Sequence, residues 1–165
     1  MVEHLNRLAM FVVLCLVQVL ILNHVHLFGV ATSLLYVYFV ITFRRHTPQW
    51  LILLWSFVLG LVIDIFSSTP GLAAGSLTLL GFVQPYLLEL LVPRDSVDDL
   101  KSSAATLGPV KFYSLCGALV LLYCVVYFAL DAFNFFDPLM WLERVVASWI
   151  LTLVMILAIE TIRSK

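Results

Sequence analysis

Apolar runs of membrane-crossing length, separated by short polar breaks, constrain this chain more than any other feature. A helix that spans a bilayer needs roughly 20 mostly apolar residues, within a range of about 17–25. The polar breaks divide the sequence into six runs, at about 8–26, 27–43, 49–66, 71–92, 109–132 and 139–162. With 165 residues in all, these runs and their connections account for nearly the whole chain. The expected fold is therefore an all-α polytopic membrane protein of six transmembrane helices, forming a single integral membrane domain over 1–165. Composition agrees: hydrophobic residues make up 63% and charged residues 12%, against about 45–50% and about 25% in a soluble domain. So few charges cannot cover a surface facing water, and lipid is the expected partner of most side chains. A net charge of −1 supplies no field that would attract DNA or RNA, so nucleic acid is not an expected partner.

The run at 27–43 is the weakest. At 1.5 Å per residue it reaches about 25 Å, short of a hydrocarbon core of roughly 30 Å. A shallow or tightly packed helix is expected there.

Orientation follows from Lys and Arg. Six spans place Arg7, Arg44, Arg45, Arg94, Lys101, Lys111, Arg163 and Lys165 on one side, leaving only Arg144 of the nine cations elsewhere. Both termini are then cytoplasmic. A cleavable signal peptide is the rival reading of the first run, because Gly29-Val30-Ala31 has small residues at cleavage-site spacing. Glu3 and a single Arg before the apolar stretch argue against it. In the longest connection, Ser96 and Asp99 have capping-box spacing. A short surface helix and a solvated loop both fit.

Ionisable groups within membrane segments are costly and serve a purpose. Asp64, Asp131 and Arg144 stand out, all expected in the outer leaflet. An ion pair or helix cap that fixes packing is the leading reading. A partner contact, and a proton or substrate site, are the alternatives. Gly60 and Asp64 are four apart and share a helix face, so a neighbouring backbone can approach the carboxylate. A turn of Ser67, Ser68, Thr69 and Pro70 follows, and Gly71 and Gly75 open the next run with small residues four apart. Internal packing is the expected use of that pair. Pro85 frees the carbonyl of Gly81 and predicts a kink, with Gln84 positioned to bond a freed group or another span. Glu89 is expected to reach water.

Signatures of catalysis or metal binding are missing: no GxSxG, HExxH or P-loop occurs. His24 and His26 are too few to hold a metal, and no cofactor is expected. Cys15, Cys116 and Cys124 lie singly within apolar runs and read as small core or lipid-facing residues. Two aspartates acting as acid and base would need a substrate groove that the sequence does not name.

The chain resembles the MreD family of bacterial rod-shape proteins. The resemblance rests on size, six spans, the stretch Gly60-x-x-x-Asp64 with its Ser/Thr turn and Gly71, the register onward to Gly81, and a fifth run ending at Asp131. It implies a non-enzymatic scaffold of the bacterial inner membrane that binds MreC, a single-span protein with an external domain. It further implies membership of the elongation complex with MreB, RodA and a penicillin-binding transpeptidase, which directs lateral peptidoglycan synthesis and cell shape. The implied fold is similar to the substrate-binding subunits of energy-coupling factor transporters. A vitamin-binding subunit of such a transporter is the alternative function. On the scaffold reading, Gly60, Asp64, Gly71, Gly75, Pro85, Asp131 and Arg144 are structural or partner-interface positions.

Overall fold

In lipid every backbone amide needs a partner within the chain, and a helix supplies it locally. In the computed structural model, which describes residues 1–22, 34–45, 47–92, 107–133, 137–163 and 165, every regular element is helical. They are α1 (Val2–Val17), continued by a π turn at Gln18–Leu22, α2 (Val37–Ile41), α3 (Gln49–Ser67), α4 (Leu72–Leu91), α5 (Pro109–Asp131) and α6 (Pro138–Arg163). Five helices are long and apolar enough to cross a membrane: α1 extended to Ile21, α3, α4, α5 and α6. The protein is thus an all-α, multi-pass membrane protein by length and composition of its helices. The residues singled out at His24, His26, Gly29–Ala31, Arg94, Ser96, Asp99 and Lys101 lie outside the described residues.

Proline sets several starts. It stands just before α3 as Pro48 and opens α5 and α6 as Pro109 and Pro138, where its missing N–H would have had no partner. α1 begins at Val2 rather than near Leu8. Its first turns carry Glu3 and Arg7, which stay helical because both are tied down: Glu3 pairs with Arg44, and Arg7 donates to Thr47 Oγ1.

Those ties place the starts of α1 and α3 at one end of the bundle, here the basic end. α3 then turns into α4 at the opposite end, the turn end. α4, α5 and α6 follow as sequential neighbours, and α1 lies against α3.

Over 27–43 a shallow or tightly packed helix is expected, and the described residues are tightly packed. The described part, 34–43, holds one five-residue helix, α2, packed against α1, α4 and α5. The residues Leu-Leu-Tyr-Val-Tyr-Phe-Val-Ile are apolar on all sides, as a segment surrounded by helices requires, and all eight are buried. Leu34 N–H reaches α6 by donating to Thr152 Oγ1 at 3.3 Å. Thr42 donates its hydroxyl to the Phe39 carbonyl at 2.9 Å, and α2 ends there. The aromatic side chains fill the space between helices, with Phe39 edge-on to Phe11 and to Phe43 at 5.8 and 5.3 Å.

Candidate functional site

At the turn end the organising residue is Asp64. Its Oδ1 accepts from Thr69 Oγ1 at 3.0 Å and from Ala73 N–H at 2.8 Å, and its Oδ2 accepts from Ala74 N–H at 2.9 Å. A helix leaves its first N–H groups without partners and carries partial positive charge there. The residue before α4 is Gly71, whose backbone is left-handed at φ 83° and which has no side chain to cap with. The carboxylate of the preceding helix takes that role instead. Ser68, also left-handed at φ 56°, reverses the chain so that α4 comes back alongside α3.

Gly60 makes this possible. A Cβ there would lie 2.4 Å from Ala74 Cα, so the two backbones are in contact. The second close approach along this pair is at Gly81, where a Cβ would lie 2.7 Å from Ser56 Oγ. The contacts between α3 and α4 therefore run from Gly60 to Gly81. Gly71 and Gly75 are not part of them. Nothing lies within 4 Å of a Cβ built at either, and both are exposed. The expectation that this pair packs internally is corrected: Ala73 and Ala74 face α3, so a residue one or two positions away must face outward.

Asp131 at the end of α5 and Arg144 on α6 pair at 3.8 Å. Both side chains are 42% exposed, so the pair is not the buried one expected. Asp64 is also not its third member, since both its oxygens are occupied within the turn. An open cavity of about 250 Å³ lies beside the ion pair, walled by Phe128, Trp141 and Met140.

α4 continues through Pro85 to Leu91. The adjacent Gln84 is fully buried and its Nε2 donates to the Phe43 carbonyl across a long 3.4 Å. Glu89 is exposed.

The basic end holds polar residues that sequence reasoning passed over. Glu160, 3% exposed, accepts from the Tyr38 hydroxyl at 2.7 Å, and Arg163 Nη1 donates to the same hydroxyl at 3.1 Å. Beside them Arg7 lies over the Phe43 ring at 5.3 Å. Deeper in the bundle the hydroxyls of Tyr36 and Tyr123 share a bond of 2.6 Å. The available signal was a glutamate inside the last apolar run, three residues before Arg163 and so on the same face. Its tyrosine partner, 122 residues earlier, left no mark in the local pattern.

Among the described residues no group of three His, Cys, Asp or Glu side chains could hold a metal. The three cysteines are buried and unpaired with one another. No protein-family model, curated protein or solved structure matches the chain.

Proposed function

We propose that this chain is a non-enzymatic membrane scaffold of the MreD type, which binds MreC and helps the elongation complex direct lateral peptidoglycan synthesis. One observation carries the reading: the most buried carboxylate of the suspected motif, Asp64, has both oxygens engaged by the neighbouring helix and turn. A carboxylate held this way is a brace, with three of its roughly four acceptor sites taken up inside the fold. It locks α3 to α4 at the turn end, and the outer face of α4 there presents Gly75 with open space around it. A small residue on a lipid-facing helix lets another helix approach closely. The transmembrane helix of MreC is the occupant assigned to that face.

Six passages across the membrane, with the energy-coupling-factor subunit fold, belong to the same proposal. Its support is that α1 and α3 both start at the basic end, as a further passage between them would require. Arg7, Arg44, Arg45, Lys111, Arg163 and Lys165 cluster at that end, while Arg144 sits at the other. By the positive-inside rule the basic end is cytoplasmic, and with it both ends of the chain.

The test is purification of the tagged chain from its native membrane in mild detergent, with identification of what comes with it. MreC should co-purify, and Gly75→Leu should release it while leaving the thermal midpoint unchanged. Normal recovery of MreC and normal cell shape with both Gly75→Leu and Asp64→Ala would sink the proposal. Recovery of an ATP-binding-cassette pair with a membrane coupling subunit would replace it with the transporter reading.

A further inference from the structure

Between α1, the end of α2 and the end of α6, the basic end holds a cavity of about 160 Å³ lined by Glu3, Asn6, Arg7, Thr42, Arg44 and Arg163. We infer that this cavity binds a phosphate-bearing anion, with the phosphodiester headgroup of an anionic membrane lipid as its natural source.

Three observations support the assignment. The first is the convergence of three guanidinium groups from three separate parts of the chain, two of them held in place by the fold. Arg7 is oriented by the face of Phe43 and by Thr47. Arg163 is oriented by Tyr38, whose hydroxyl is in turn fixed by Glu160. A guanidinium has five N–H donors, and the bonds of Arg7 and Arg163 to Thr47 and Tyr38 leave most of theirs for a ligand. Fixed, forked donors of this kind match phosphate oxygens.

The second is charge. Three arginines face one carboxylate, Glu3, across the cavity, and Glu160 lies behind Tyr38. This excess of arginine over carboxylate in the lining suits an anionic phosphodiester. The third is size and place. The cavity is well below the roughly 300–1,000 Å³ of a small-molecule pocket, yet has room for one phosphate group. It also sits where helices that cross a bilayer meet the headgroup layer, the position at which basic pockets between transmembrane helices take anionic lipid heads.

Glu3 is the built-in competitor, because it pairs with Arg44 inside the same cavity. Removing it should therefore strengthen binding, which a merely structural arginine cluster would not do.

The experiment is native mass spectrometry of the full chain in neutral detergent, titrated with phosphatidylglycerol or phosphatidylcholine. A parallel melting series uses inorganic phosphate against chloride at equal ionic strength. Retention of phosphatidylglycerol should exceed phosphatidylcholine by about five- to tenfold. The pair Arg7→Gln with Arg163→Gln should abolish the preference, Glu3→Gln should raise it about two- to threefold, and Arg144→Gln at the other end should leave it alone. Lipid preference without a response to inorganic phosphate assigns the site to lipid. A phosphate-specific rise in melting temperature, lost in the double variant and without lipid preference, assigns it to a soluble anion. Equal retention of both lipids with no phosphate response overturns the inference. So does a preference that Arg144→Gln reduces as much as the double variant, or that Glu3→Gln weakens.

Discussion

Asp64 and Glu160 are both buried carboxylates, 4% and 3% exposed, at opposite ends of one bundle. Their partners differ in kind. Asp64 is held by two backbone N–H groups and one hydroxyl, all within ten residues of it in sequence. Glu160 is reached by a tyrosine 122 residues away, which also receives Arg163. Backbone donors at the start of a helix cannot turn elsewhere when their acceptor is lost. Side chains at the membrane edge can rotate or take up water. A carboxylate on backbone thus acts as a joint in the fold, while a carboxylate on side chains positions other polar groups and leaves the fold some freedom.

Removing the joint should give the largest effect. Asp64→Ala leaves the N–H groups of the buried Ala73 and Ala74 without a partner, each costing about 1–3 kcal/mol. A loss of about 3 kcal/mol is expected, read from denaturation in micelles, and Asp64→Asn should recover part of it by keeping one acceptor oxygen. If Asp64→Ala melts within a degree or two of the parent, the brace is not what holds α3 to α4. Gly60→Ala comes next. Its new methyl would meet backbone, which cannot move aside as a flexible side chain does, and overpacking costs about 1–3 kcal/mol. The control is Gly75→Ala, which meets nothing within 4 Å and should be neutral or slightly stabilising through helix propensity. Equal effects at the two glycines would show that the close approach at Gly60 does not matter.

This contrast also explains what could be read from the chain. The turn end was legible because its parts are close in sequence: Gly60, Asp64, Thr69 and Gly71 span a dozen residues, and helix geometry alone puts Gly60 and Asp64 on one face. The starts of α5 and α6 were legible within a residue or so as the beginnings of apolar runs at about 109 and 139. The basic end was not. Tyr38, Glu160 and Arg163 meet only through the packing of α2 against α6, and pairing at that distance leaves no periodic signal. The outward direction of Gly75 escaped for a related reason: a small-residue pair marks a helix face without saying which neighbour that face meets. The buried character of 34–43 was half visible, as a run too short to span and apolar on every side. That it would lie among the other helices depends on all of them at once.

At the basic end, Glu160→Leu should cost about 1–2 kcal/mol, less than the loss at Asp64, because Tyr38 keeps its bond from Arg163. Tyr38→Phe should cost about the same, and the two together little more than either alone, since both remove one shared bond. Full additivity in that cycle would mean that the two residues act separately and that Glu160 does not fix Tyr38.

The smallest effect is expected at Asp131 and Arg144, and it bears on why the turn end holds charges of two kinds. Their separation of 3.8 Å and their 42% exposure describe an ion pair at the edge, where screening and side-chain entropy leave about 0–1 kcal/mol. Asp131→Asn should therefore shift stability by under about 0.5 kcal/mol, several-fold less than Asp64→Ala at the same end of the molecule. The pair should also weaken with salt, whereas the bonds of Asp64 to backbone should not, because buried interactions escape most screening. Denaturation of both variants at low and high ionic strength separates the two cases. A salt-insensitive loss of several kcal/mol at Asp131 would place it with Asp64 as part of one braced cluster, and the turn end would then have three fixed charges rather than one.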